Sequence, residues 1–428
     1  MARFRLTVEV RATKAAAART VRRPRAPVRP PSRRPWVLLG AVLLVAVGAL
    51  NYVRPIPAAA AAVSGPAQNV IAGAAPTLPW PSVGSAALGV SGLGLIAATL
   101  EAPPTPAASV AKVMTALVVL ADKPLRKGET GPTLTMTDQD VATYKADDAQ
   151  EQSVVPVAAG EQLNEFAALQ ALLIPSGNNI AETLARWDAG SVDAFVAKMN
   201  ERAASLHLTH TTFADPAGAS FQTVSTPTDL LTMGMAAMQQ EVLAQIVSLP
   251  EATLPVAGTV YNVNYSLGQS GIIGIKTGSG LNSGANFLFA AAATIGGLPL
   301  TLFGSVMGQP TLDAAFTEAE ALIGAMKAAL SVRKVIAQSD VVGAYTTEWG
   351  SRSDLVATQD VILIEWPGMI LRERLDAQTV AVDGPVPTGT SAGKLHIVLG
   401  DQQVDVSLVT AGTLDPPGPI WRLLRINL

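Results

Sequence analysis

Three short stretches carry residue types whose spacing could do chemistry together. Ser109-Val110-Ala111-Lys112 sets a hydroxyl and an amine three positions apart. On a helix, residues i and i+3 share a face, so the amine can reach the hydroxyl. A serine hydroxyl is a poor nucleophile until a base takes its proton. Lysine serves as that base only when burial or a neighbouring cation lowers its pKa. Ser176-Gly177-Asn178 supplies a hydroxyl and an amide on one turn, able to relay a proton and hold a carbonyl. Lys276-Thr277-Gly278 ends the apolar run Ile272–Ile275 and offers an amine and a hydroxyl to a carboxylate, while Gly278 removes a side chain that would block a substrate. Taken singly, each stretch has a plain structural reading: an N-cap serine with an exposed lysine, a helix-capping turn, a strand-end turn with a solvated lysine. The chain has ten lysines, so the lysine in the last stretch is the least expected by chance. Present together and in this order, the three point to acyl transfer through serine.

Other chemistries fit poorly. There is no cysteine, which excludes a thiolate nucleophile, a disulfide framework and a thiolate metal site. The three histidines are His207, His210 and His396. His207 and His210 lack a third ligand at metal-binding spacing and read as ordinary surface or turn residues. No Gly-x-Ser-x-Gly elbow and no phosphate-binding glycine loop is present. Neither a metal nor a cofactor is expected.

The elements that must position these residues can be read from periodicity. Ser109–Leu120 is apolar at helical spacing, as are Leu163–Leu173, Asn179–Trp187, Ser191–Leu206, Thr228–Met238 and Thr311–Leu330. Gly94–Leu100, Ile272–Thr277, Asn286–Thr294 and Leu298–Met307 read as strands, the last two joined by a Gly296-Gly297 hairpin turn. Strands joined so tightly are antiparallel, which disfavours a doubly wound parallel sheet. After Ser331 the chain turns β-rich, with polar–apolar alternation in Gln403–Leu408.

Charge and hydropathy divide the remainder. Met1–Pro35 holds 11 Lys+Arg and one acid, leaving a net of −13 for the rest. A basic tail can bind nucleic acid, but this one abuts the uncharged run Trp36–Val53, so it reads as a topology signal and no nucleic acid is expected. The domain reading is therefore a basic cytoplasmic tail (1–35), a transmembrane anchor (36–53), a Pro/Ala/Gly-rich linker (54–85), a catalytic domain (86–330) and a separate small β-rich domain (331–428). The catalytic part is expected outside the cytoplasm. A signal peptide cleaved within Ala58–Ala62 is the alternative, although the stretch ahead of its apolar core is long for one.

With these residues in view, the chain resembles the low-molecular-mass penicillin-binding proteins of the D-alanyl-D-alanine carboxypeptidase family. The likeness is carried by Ala107–Thr115, by Ile174–Asn179, and by Met199-Asn200, Thr212-Phe213 and Asp215-Pro216-Ala217-Gly218. It continues through Ser225-Thr226 with Asp229, Asn262-x-Asn264 and Gly274–Gly278, and spans roughly Leu88 to Leu330. The resemblance implies an α/β (α+β) β-lactamase/transpeptidase-like fold, in which helices flank an antiparallel sheet and a helical subdomain carries Ser176. It implies that Ser109 attacks the carbonyl between two D-alanines of a peptidoglycan stem peptide, with Lys112 as base and Ser176 relaying the proton to the leaving amine. Asn178 would orient substrate and Lys112, while Lys276 and Thr277, followed by Gly278, would bind the terminal carboxylate. The backbone N–H groups of Ser109 and Ser279 would form the oxyanion hole. β-Lactams would acylate Ser109 as inhibitors. A role in peptidoglycan metabolism and cell shape goes with this reading.

Three departures from the family pattern stand out. The stretch Thr311–Phe316 lacks the arginine that usually precedes the last helix, and no arginine follows until Arg333. Gly280 stands where threonine is frequent. The usual carboxy-terminal amphipathic anchor has no counterpart in Ile420–Leu428, so the amino-terminal helix would replace it. A class A β-lactamase needs a deacylating glutamate between the second and third motifs, and Ala203–Ser225 contains none. A D,D-endopeptidase shares the chemistry and stays open. A catalytically weak wall-binding protein of the same fold has no need of Ser109, Lys112, Ser176, Asn178 and Lys276 together.

Overall fold

The computed structural model describes residues 34–100, 103–280 and 283–425. Its larger unit, Ile56–Pro416, is built on a five-stranded sheet. The strands are β1 (Ser85–Val90), β2 (Gly94–Ala98), β3 (Ile272–Gly280), β4 (Gly284–Ile295) and β5 (Leu298–Gln309). They run in the order β3-β4-β5-β1-β2, every pair antiparallel. Gly296 and Gly297 make the expected β4–β5 turn, with φ of 56° and 85°. Positive φ at both central residues suits a type I′ hairpin turn, whose twist matches that of the strands.

β4 is buried along Ala285–Ala291 rather than alternating, because both faces of the sheet are covered. The helix Leu312–Ala329 covers one face through Ala315, Phe316, Ala319, Leu322, Ile323 and Met326, and Phe316 meets Phe287 edge-on at 4.9 Å. The helix Pro227–Met238 covers the other, where Gly234 lets the backbone come against Leu288. Beyond that helix lies a helical layer: Lys112–Asp122, Asp138–Asp148, Glu165–Leu173, Asn178–Ala189 and Val192–Ser205. Lys112–Asp122 is buried on all sides from Lys112 to Leu120 and forms the hub of this layer.

Periodicity missed the helix Asp138–Asp148, which is mostly polar and sets only Val141 and Tyr144 against the core. Its signal lies at its start, where Thr137 and Asp140 cap each other reciprocally. The short helix Glu241–Val247 was not anticipated either.

Two parts of the domain reading differ from the structure. The proposed linker contributes strands Ala60–Val63 and Gln68–Val70, paired antiparallel with Val341–Thr346 and Ile370–Ala377 in a seven-stranded sheet. Its small residues fit an edge strand as well as a spacer, and composition alone does not distinguish the two. The β-rich region is also not a body apart. Leu88, Phe287 and Ile323 share one apolar core with Tyr345, Leu355 and Leu395, and Gly94 leaves room for the Asp401 carboxylate.

The second unit comprises residues to Pro55 and from Pro417. Within it the helix Arg34–Val53 has a mean hydropathy of 2.2 and none of it is buried in protein. Its 20 residues are long and apolar enough to cross a bilayer. The short helix Pro419–Leu424 packs on its end, where Asn51 Nδ2 donates to the Leu423 carbonyl at 3.1 Å. The expected basic tail, Met1–Pro35, lies outside the described residues up to position 33.

Candidate active site

Ser109 sits in a 3-10 turn, Ala108–Ala111, that runs straight into the helix Lys112–Asp122. The serine therefore precedes the α-helix rather than beginning it, yet the three-residue spacing still brings Lys112 Nζ to 2.8 Å from Ser109 Oγ. Ala108 takes a left-handed φ of 48°. Such a conformation costs a residue with a β-carbon about 1–2 kcal/mol and persists only where neighbours enforce it.

Lys112 is fully buried. Its Nζ also donates to Asn178 Oδ1 at 2.6 Å and to the Ala217 carbonyl at 2.9 Å. Burial holds its pKa well below the usual lysine value, and the charge of Lys276 pushes the same way, opposed by Asp215 and Asp147. The three acceptors account for an ammonium's three protons. Once neutral, the amine can donate to the two carbonyl oxygens and turn its lone pair to Ser109.

Asn178 opens the helix Asn178–Ala189, and a β-carbon on the preceding Gly177 would stand 3.0 Å from the Ala171 carbonyl oxygen. Ser176 adopts a left-handed φ of 69° and is buried. Its Oγ has no hydrogen-bond partner among the described residues, so Ser176 is not joined to Ser109 or Lys112 directly.

β3 brings the third motif to Ser109. A β-carbon on Gly278 would lie 3.0 Å from the backbone nitrogens of Ser109 and Val110, so only glycine lets strand and turn close to this distance. Asn286, opposite Gly278 on β4, donates to the Pro106 carbonyl at 3.0 Å and ties the sheet to the approach to Ser109. Lys276 and Thr277 are buried; Lys276 Nζ donates to the Thr277 carbonyl at 3.1 Å, and burial lowers its pKa to about 7. Ser279 and Gly280 are exposed and line a cleft of about 470 Å³ together with Ser109, Asn178, Gln152, Glu151, Ser220 and Phe221.

Ser109 and Asn178 of the first two motifs thus line the cleft, Gly278 of the third abuts Ser109 from behind, and Lys112, Ser176, Lys276 and Thr277 are buried beside it rather than lining it. Sequence reasoning missed three contributors: the Ala217 carbonyl, Gln152 and Asn286. A backbone carbonyl carries no side-chain signal, and Gln152 lies outside every motif. Among the described residues no cluster of ligating side chains could hold a metal ion.

An antiparallel sheet between helical layers, with a serine turn beneath a Lys-Thr-Gly strand, is the architecture of the DD-peptidases. The chain belongs to the D-alanyl-D-alanine carboxypeptidase family, whose sequence model matches residues 95–311. It is 34% identical over 204 residues to the D-alanyl-D-alanine carboxypeptidase DacB2 of Mycobacterium tuberculosis, covering 46% of this chain and 65% of that protein. It is 32% identical over 164 residues to a D-alanyl-D-alanine endopeptidase of Pseudomonas aeruginosa, covering 38% and 48%. The chain thus spans less than two thirds of the length of either relative. Among solved structures, the Streptomyces K15 DD-transpeptidase superposes with a TM-score of 0.53 at 27% identity, covering 59% of this chain and 99% of that one. A peptidoglycan synthesis regulatory factor (PBP3) from Streptococcus pneumoniae reaches 0.58 at 19% identity, covering 78% and 99%, a likeness of fold.

Proposed function

We propose that the protein is a serine-type D-alanyl-D-alanine carboxypeptidase that trims peptidoglycan stem peptides through an acyl-enzyme on Ser109. The observation that carries this reading is the buried Lys112 amine, 2.8 Å from Ser109 Oγ and backed by two carbonyl oxygens. Neutral Lys112 takes the Ser109 proton as Oγ attacks the carbonyl carbon of the penultimate D-alanine. The developing oxyanion is met by the backbone N–H groups of Ser109 and Ser279. The proton passes by way of Ser176 to the leaving amine and the C–N bond breaks. Water activated by Lys112 then cleaves the ester and restores Ser109. Lys276 and Thr277 hold the terminal carboxylate, and Asn178 orients Lys112 and the peptide. No cofactor enters this scheme. The amino-terminal helix serves as a single-pass anchor, with the catalytic unit outside the cytoplasm. A β-lactam enters by the same attack and leaves slowly.

Fluorescent penicillin should label the wild-type protein covalently, and S109A should abolish labelling; a label that survives the substitution rules out Ser109 as nucleophile. Release of D-alanine from a pentapeptide tests the carboxypeptidase step. One observation favours a second reading, a D,D-endopeptidase. The groove continuing from Ser279 and Gly280 is lined by Thr311 and Asp313, with a carboxylate and, among the described residues, no cation to greet a small anionic leaving group. Faster cleavage of a cross-linked dimer than of the pentapeptide would select that reading.

A further inference from the structure

We propose that Gln152 is a positioning residue for acylation, locking the Asn178 amide in the one orientation that leaves Lys112 free to act on Ser109. The inference rests on the serine peptidase reading above.

Asn178 Nδ2 donates to Gln152 Oε1, while Asn178 Oδ1 accepts from Lys112. An asparagine amide is nearly symmetric in shape, and its two ends differ only in hydrogen-bonding sense. With Oδ1 toward Lys112, the lysine donates to it and keeps its lone pair for the serine proton. If the amide turned over, an Nδ2–H would point at the amine and occupy that lone pair. The base would be quenched with no change of fold. Gln152 Oε1 can only accept, so it holds the Nδ2 end away from Lys112.

Gln152 is itself held in place. Its backbone N–H donates to the Asp147 carbonyl at 3.1 Å, and its Nε2 donates to Gln150 Oε1 at 3.3 Å. The segment behind it is fastened separately to the same helix start. Asn178 N–H donates to the Ser153 carbonyl at 2.8 Å, and the Asn179 side chain bonds both the N–H and the carbonyl of Val155, at 2.9 and 2.8 Å. Removing the Gln152 side chain leaves these bonds intact, so the local fold does not depend on it. Gln152 also lines the cleft, where a bound substrate would shield its bond to Asn178 from water.

The test measures the reaction of the full-length protein with fluorescent penicillin over a range of concentrations and pH, which separates reversible binding from the acylation rate constant. In Q152A the acylation rate constant should fall about tenfold, as expected for one lost orienting hydrogen bond, with the binding step within about twofold of wild type. In Q152E a carboxylate keeps the acceptor, so the rate should recover at high pH. Its added negative charge stabilises the Lys112 ammonium, so the acid limb of the profile should move to higher pH. Lys276, Asp215 and Asp147, the other charges acting on Lys112, are unchanged in both variants. Wild-type acylation in Q152A overturns the proposal, as does equal loss in both variants with no displaced limb, which is the mark of a merely structural role. If wild-type protein fails to label, the peptidase reading itself fails, a result distinct from either.

Discussion

Gly218 lies against Ala108 so closely that a β-carbon on it would stand 1.8 Å from the Ala108 carbonyl oxygen. Gly218 has a φ of 76°, Ala108 a φ of 48°, and Ser109 is the next residue. The loop Asp215–Gly218 thus braces the nucleophile turn from below. It also presents the Ala217 carbonyl to Lys112 and the Pro216 carbonyl to Thr115 Oγ1, at 2.9 and 2.6 Å. G218A should displace the turn and cut penicillin acylation at least about tenfold, with a stability loss of about 2 kcal/mol or more. A stopped-flow acylation rate and a denaturant melt check both, and unchanged acylation would show that the brace is not needed.

Asp215 organises that loop. Its Oδ1 accepts from the N–H groups of Ala217 and Ala219, and its Oδ2 from Ser220 N–H and Thr223 Oγ1, all between 2.8 and 3.0 Å. D215A leaves four donors without their acceptor, so a stability loss of about 2–4 kcal/mol is expected by thermal or urea melting. Asp215 also raises the pKa of Lys112. The residual acylation of D215A should therefore have its acid limb at lower pH than wild type.

The two buried lysines set opposite pH requirements. If Lys112 is the base it must be neutral to act, so acylation should rise with pH as its proton leaves, with a midpoint well below that of an ordinary lysine at about 10.4. In the proposed scheme Lys276 binds a carboxylate as an ammonium ion. In the free enzyme it loses its proton through about pH 7, so KM for a peptide with a free carboxylate should climb above that pH. Steady-state kinetics between pH 5 and 10 test both. An acylation midpoint near 10, or a KM flat across the range, contradicts the corresponding assignment.

Glu165 opens the helix Glu165–Leu173 with its side chain fully buried and both carboxylate oxygens without a hydrogen-bond partner among the described residues. Burial raises its pKa to about 7. Between the ordinary glutamate value and about 7 the folded state keeps a proton that the unfolded chain has lost, so stability falls as pH rises through this window. E165Q removes the titration. The stability of wild type relative to E165Q should drop by about 2 kcal/mol between pH 4.5 and 8, read from urea melts at each pH. Parallel pH curves for the two proteins would show that the carboxyl is not held protonated.

The elements that hold the site were legible wherever apolar residues repeat at one period. The Lys112 helix, the β4–β5 hairpin and the helix over Phe287 all announce themselves this way. The residues proposed to react could be picked out because side-chain chemistry at fixed spacing is written in the sequence. What escaped was of three physical kinds. The helix Asp138–Asp148 sets only Val141 and Tyr144 against the core, too short a stripe to mark a period, and its capping box is the clearer cue. Gln152 acts through a partner 26 residues away, a pairing no local pattern encodes. Strands Ala60–Val63 and Gln68–Val70 are made of small or polar residues and become strands only because edges are waiting for them more than 270 residues later.

Those two strands determine where the polypeptide can be cut. A fragment ending at Leu330 removes Val341–Thr346 and Ile370–Ala377, leaving Ala60–Val63 and Gln68–Val70 with unsatisfied backbone edges open to intermolecular pairing. It also takes away Tyr345, Leu355 and Leu395, which share one apolar core with Leu88, Phe287 and Ile323. During synthesis the serine emerges long before the segments that complete its scaffold. Completion of this fold must therefore await the strands up to Ile370–Ala377 and beyond.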